Sequence, residues 1–318
     1  MKKGISYFGV RNPEWVAKDL ATIKDGGIDY VVHTFSEEDM EFYLDTMRKI
    51  VRTSKEMGLE VYLDPWGVAR IFGGEAYSKF LLLNDDARLV TREGKKGYGA
   101  CMNNPDTLEF MKNWVDAAYY AGGDYIFWDE PHFSLITNKD GCFCNICGEK
   151  FKEEFGEELK KATPEDLSLF RGLTKLNFLK EVMEYSHIKG MKNVLCLLPH
   201  DEDLEWEKFA EIKFLDVFGT DPYWVLKPVG FENWMKTRVE KVSKLSRRFG
   251  KESEIWIQNF KVRKGEEVLM EKVAKTAMAY GIDRISAWSF RGTSYMSYIQ
   301  SEDPEGVWKK LLEIYSKI

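Results

Sequence analysis

Two adjacent carboxylates, Asp129 and Glu130, close the apolar run D-Y-I-F-W-D-E-P-H-F that begins at Asp124. A strand that carries acids to its C-terminal end is how a parallel barrel presents catalytic groups. Cys142, Cys144 and Cys147 follow in C-F-C-N-I-C, and Cys101 precedes them in A-C-M-N-N-P. Four thiols so placed predict one closed, all-thiolate zinc site that is structural rather than catalytic. Ligation by three thiolates, or a reduced cluster without metal, stays open because C-x-C is tighter than C-x2-C. Cys196, in an apolar run, is expected to be a buried small residue.

Carboxylate chemistry on sugars needs two acids: one protonates the leaving oxygen while the other attacks or activates water. Neighbours in a regular strand point to opposite faces. Asp129 and Glu130 are therefore not expected to form the pair by themselves. Asp221, in F-G-T-D-P-Y-W, and Asp64, in Y-L-D-P-W, are the candidate partners.

The elements that would position these groups alternate along the whole chain. Short apolar strands are predicted at Ile5–Val10, Tyr30–Phe35, Glu60–Pro65, Tyr125–Asp129, Val194–Pro199, Leu215–Thr220, Ile255–Phe260 and Ile285–Phe290. Helix starts follow most of them. Asn12-Pro13, Asn104-Pro105, Thr163-Pro164 and Asp303-Pro304 place proline at the first helical position, and Ser36-Glu37-Glu38-Asp39 has a capping-box pattern. Eight such units predict an α/β fold, a (β/α)8 TIM barrel spanning 1–318 as one domain. Long connections follow strands three and four, with a zinc-binding, extra helical insertion at about 131–190. No glycine fingerprint follows the first strand, which sets aside a dinucleotide-binding open sheet and an organic cofactor of that kind.

At the predicted strand ends stand His33; Asp64 and Trp66; Asp129, Glu130 and His132; His200 and Asp201; Asp221, Tyr223 and Trp224; Gln258 and Asn259; Trp288 and Arg291. Three of the four histidines of the chain fall there. Trp66, Tyr223, Trp224 and Trp288 would wall a sugar; His33, His132, His200, Gln258 and Arg291 would bind its hydroxyls or an acidic group such as a uronate.

A net charge of −6 without a basic patch excludes nucleic acid as the expected partner. No run approaches the length of a membrane helix, and the N-terminus has no signal-peptide pattern. The expectation is a cytoplasmic protein acting on a small carbohydrate or oligosaccharide, with a homo-oligomer permitted and no membrane partner.

The Cys101 segment, W-D-E-P and C-x-C-x-x-C resemble the TIM-barrel glycoside hydrolases that include the family 42 β-galactosidases. The close likeness runs over roughly residues 60–150. It implies a zinc held by the four cysteines and an acid/base role for Glu130. It also implies a nucleophilic Glu at the end of strand seven, where I-W-I-Q-N-F places Gln258 instead; an amide is no nucleophile. Retaining α-glycosidases of the α-galactosidase and α-glucosidase group give a second resemblance, with Asp129 as nucleophile and Asp221 as acid/base. Two other functions are compatible with the inventory. One is a metal-dependent sugar isomerase or epimerase using His33, His132 and His200 with the acids. The other is a carbohydrate-binding protein without turnover.

Overall fold

A computed structural model describes residues 1–133 and 140–318. Eight parallel strands close into a barrel in which every strand pairs with its sequence neighbours. They are β1 (Lys2–Tyr7), β2 (Tyr30–Thr34), β3 (Glu60–Asp64), β4 (Tyr125–Asp129), β5 (Lys192–Leu197), β6 (Val217–Thr220), β7 (Glu252–Gln258) and β8 (Arg284–Trp288). The TIM-barrel reading therefore holds. Several strands begin earlier than predicted, at Lys2, Lys192, Glu252 and Arg284. The charged first residues hid those starts, because the apolar runs begin one or more residues later.

The helix signals also hold. Asn12, Asn104, Thr163 and Asp303 accept backbone N–H groups at the starts of Pro13–Asp25, Pro105–Ala121, Pro164–Ile188 and Pro304–Tyr315. Ser36 and Asp39 form the capping box of Glu37–Phe42. Pro164–Ile188 crosses from β4 to β5, and Asn145–Phe155 precedes it. Residues 134–139 of the expected insertion lie outside the described residues. Among the described residues, no helix is long and apolar enough to cross a membrane.

Two layers divide the barrel interior. The lower layer is a charged and aromatic plug. Arg284, 1% exposed, donates to Glu60 at 2.9 Å, Tyr62 at 2.9 Å, Tyr125 at 3.1 Å and also to Glu252. Tyr30, Tyr62 and Tyr125 pack ring to ring at 4.8 and 4.6 Å. Gly4 makes room for them: a Cβ there would lie 2.2 Å from the Tyr30 ring. Glu254 accepts from Tyr30 (2.5 Å), Trp256 (3.2 Å) and Ser286 (3.3 Å). Every formal charge here has a partner, as burial demands. The upper layer opens toward the C-terminal ends of the strands.

The connection after β3 folds back over that opening. It runs through Val68–Arg70 and Lys79–Leu83 into an antiparallel pair, Arg88–Val90 with Lys96–Ala100.

Arg284→Ala would leave the plug's acids and phenols without their shared donor. The expected loss is about 2–3 kcal/mol, below the fully buried case because Glu60 and Glu252 reach solvent. Urea unfolding of the two proteins measures it; an unchanged midpoint would show that the plug is not held by this charge.

Candidate active site

Parity within the strands decides which side chains reach the opening. Asp64, Asp129 and Asp221 continue the inward-facing positions of β3, β4 and the segment after β6. A cavity of about 230 Å³ is lined by Asp129, Glu130, Asp221 and Glu75, with Trp66, Phe127, Tyr223, Trp256, Phe260 and Trp288 among its walls. Trp66 stacks on Trp288 at 5.2 Å and on Phe8 at 5.3 Å, which fixes one wall as a flat aromatic face.

The expectation that Asp129 and Glu130 face opposite ways is overturned. Glu130 has φ 43°, in the left-handed region, so the alternation of β4 stops at Asp129. The turn swings the second carboxylate round to the same cavity. Its backbone is held on both sides: Glu130 N donates to Cys196 O at 2.9 Å, and the Glu130 carbonyl lies 2.6 Å from His132 Nδ1. Gly73 packs directly above the pair and donates its N–H to Asp129 O at 3.1 Å. A Cβ on Gly73 would meet Asp129 Oδ2 at 2.5 Å and Glu130 Oε2 at 3.4 Å. Only glycine lets this loop cover the acids so closely.

The carboxyls are coupled. Burial first, then the neighbouring Glu130 carboxyl, push the Asp221 pKa well above its usual range. Asp129 is raised by its enclosure and by Asp64 and Glu130. Asp64 is fully buried behind them, and neither of its oxygens meets a hydrogen-bond partner; burial and Glu130 raise it strongly. Glu75, exposed at the rim, is raised too, partial enclosure being the largest cause.

Several expected residues stand elsewhere. His33 sits on the outward face of β2, with Nε2 2.9 Å from Ser54 Oγ. Burial there holds its pKa down to about 3, so it is a neutral packing residue. His132 braces the Glu130 backbone and does not line the cavity. His200 is on the exposed surface, while Asp201 pairs with the buried Lys175. The three histidines therefore do not converge on the acids. Trp224 packs outward and donates to Glu266 at 3.1 Å. Gln258 is bound to backbone: it accepts from Val225 N and donates to Phe260 O, both at 3.0 Å. It braces the loop that carries the Val225 and Leu226 wall. Arg291 lies over the Phe290 ring and 3.9 Å from Glu305, away from the cavity. Asp64, Trp66, Tyr223 and Trp288 are where the inventory put them, at or directly behind the cavity wall. Glu75, Trp256 and Phe260 were not anticipated. The G-G-E run at 73–75 is the one sequence signal for Glu75, since two small residues permit a close crossing.

The cysteines form a second centre. The sulfurs of Cys101, Cys142, Cys144 and Cys147 all lie within 4.8 Å of one another. Cys101 Sγ is 3.8 Å from Cys144 Sγ and 3.4 Å from Cys147 Sγ. These distances are too long for a disulfide and close to the roughly 3.8 Å edge of a tetrahedron with bonds of about 2.3 Å. Val90 N and Asn103 Nδ2 each approach a sulfur at 3.4 Å. Cys144 caps the Asn145–Phe155 helix, whose N-terminal dipole favours thiolate. The donor set fits a thiophilic ion, and among the described residues it is the group of ligand atoms close enough together to hold a metal. The cluster ties the connection after β4 to the antiparallel pair after β3. Cys196 is buried in the barrel, as expected.

No known protein family matches the chain by sequence, and no curated protein does. Solved structures do match in fold. A β-galactosidase from the psychrophilic Marinomonas ef1 superposes with TM-score 0.75 at 13% identity, over 100% of this chain and 59% of that one. This chain thus spans less than two thirds of that protein's length. An endo-1,4-β-mannanase from Rhizomucor miehei gives 0.67 at 9% identity, over 99% and 94%. A D-allulose 3-epimerase from Methylomonas sp. gives 0.54 at 10% identity, over 100% and 97%. The fold is one that sugar-processing enzymes share.

Stability should carry the mark of the buried acids. Asp64 has a raised folded-state pKa, so what its protonated form contributes is present below the unfolded value of about 3.9 and lost as pH rises. Asp64→Asn removes that loss. Thermal unfolding at pH 7.5 should show the variant stabilised by about 1–3 kcal/mol, with the advantage shrinking toward pH 4.5. A variant less stable at pH 7.5 would mean that Asp64 is satisfied as a carboxylate.

Proposed function

We propose that the protein is a glycoside hydrolase. Asp221 is its general acid, Asp129 the nucleophile, and Glu130 the group that keeps Asp221 protonated. The observation that carries this reading is the convergence of three carboxyls, from β4 and the end of β6, on one aromatic-walled cavity at the C-terminal face of the barrel. Asp221 has the environment of a proton donor at neutral pH: it is buried, and the neighbouring Glu130 and Asp129 carboxyls raise its pKa further. Asp129 stands beside it on β4. The leaving oxygen would take the Asp221 proton while Asp129 forms the glycosyl bond; water then resolves that bond with Asp221 as base. Trp66 and Trp288 would stack on the sugar.

The neighbours lend class-level support. Structures described as a β-galactosidase, an endo-1,4-β-mannanase and a putative α-L-fucosidase share this fold. A Streptomyces cattleya structure of the fold is described in complex with GlcNAc. The epimerase reading draws less support from the geometry, because His33 and His200 lie apart from the acids and His132 meets the Glu130 backbone rather than the cavity.

Cys101, Cys142, Cys144 and Cys147 would hold one structural zinc. Its role is mechanical: it would fasten the connection that carries Gly73 and Glu75 over the acids.

Purified protein assayed on α- and β-linked aryl glycosides should turn over at least one. Asp129→Asn and Asp221→Asn should each lower kcat/KM by about 10³-fold or more. Glu130→Gln should be milder and should move the alkaline limb of the pH profile to lower pH, since the charge that raises Asp221 is gone. Turnover lost with Glu130→Gln but kept with Asp129→Asn would reverse the two roles. Binding without turnover on every linkage would make the protein a sugar-binding barrel.

Elemental analysis should find one zinc per chain, and Cys101→Ser should release it and lower the melting temperature. Metal-free wild-type protein, purified without chelator, would remove the zinc from this account.

A further inference from the structure

The cavity has an unusual charge balance for a site that binds neutral sugars. Four of its lining residues are acids, and among the described residues none is lysine, arginine or histidine. Asp64 adds a fifth carboxyl directly behind. The nearest cations, Arg70 and Lys261, act on Glu75 at the rim. Arg70 is also committed to the carbonyls of Gly74 and Ala76, and Lys261 lies over the Tyr298 ring. Arg291, the group expected to read an acidic sugar, is outside the cavity.

A second feature points the same way. Asp221 is 2% exposed, lines the cavity, and its Oδ1 has no hydrogen-bond partner. A buried carboxyl oxygen without a partner leaves the charge of this group unmet within the protein. Around the acids stand the faces and edges of Trp66, Trp256, Trp288 and Tyr223. Carboxyls inside an aromatic box are the recognition chemistry of an organic cation: the rings supply a negative quadrupole face, and the acids supply counter-charge as the ammonium replaces protons they otherwise hold. An anion finds no cationic side chain in the lining among the described residues. The volume of about 230 Å³ lies below the roughly 300 Å³ at which sites for larger ligands begin, so one ring with its substituents fills it.

We propose that this site is selective for a single sugar ring bearing a free, protonated amine. The ammonium group lies among Asp129, Glu130 and Asp221, and the ring packs on the Trp66–Trp288 wall. The inference rests on the same cavity as the hydrolase reading but is independent of turnover.

The test is direct binding, followed by tryptophan fluorescence or calorimetry in phosphate buffer at pH 7 to keep amine buffers out. The probes are the methyl glycosides of 2-amino-2-deoxyglucose, -galactose and -mannose. Each is compared with its neutral parent and its N-acetyl form, and methyl glucuronide serves as the anion. At least one amino sugar should bind tenfold or more tightly than both its neutral parent and its N-acetyl form, with the uronide weakest. Asp129→Asn and Asp221→Asn should each shrink that ratio toward one, while Trp66→Ala should weaken amine and parent alike.

Neutral or acetylated sugars binding as well as the amines would overturn the inference and leave the hydrolase reading standing. Selective amine binding without hydrolysis of any aminoglycoside would do the reverse. Failure of every probe to bind would overturn the inference outright.

Discussion

Unpaired carboxyls gathered at one end of a closed barrel are the constraint on which the rest of this structure depends. Asp64, Asp129 and Asp221 resist ionising beside one another and Glu130 where, among the described residues, no lysine, arginine or histidine lines the cavity. They must hold protons between them, and holding protons at neutral pH is what makes a carboxyl useful as an acid. The same condition is a source of instability. The molecule offsets it with a lower barrel layer in which Arg284, Glu60, Glu252, Glu254 and the tyrosines satisfy one another. One end of the barrel is electrically closed, and the other is left unbalanced.

Keeping that imbalance enclosed falls to the connection after β3. Gly73 lies against Asp129, and the following residues bring Glu75 to the rim. Val68, Ile71, Phe72 and Leu89 bury this segment in the core. The cysteine cluster adds a second tie, bringing the Arg88–Ala100 pair and the chain after β4 together. Thiol chemistry and carboxyl chemistry, far apart in kind, are thus linked through one stretch of backbone.

Gln258 shows how position and role can separate. It occupies the end of β7, where a barrel glycosidase of the family 42 type would carry a carboxylate. Yet its amide is spent on Val225 N and Phe260 O. An amide whose two polar atoms are bound in this way is no nucleophile. The acids of β4 and the end of β6 are the ones that share the cavity.

The sequence by itself determined the barrel, most helix caps, the cysteine cluster and the candidacy of Asp129, Glu130 and Asp221, which do line one cavity. All of these are local. A β run, a capping residue before proline and a short cysteine spacing each act over a few residues, so their signals survive in one dimension. Tertiary structure alone decided which strand-end residues meet. His33 and Asp64 both lie near strand ends, but strand parity sends one outward to Ser54 and the other inward to the acids. Glu130 joined Asp129 because a single left-handed residue broke the alternation that the pattern assumed. Glu75 entered from a connection whose path depends on packing with no periodic signature. Facing direction and long-range convergence are set by barrel closure, and closure is a property of the whole chain.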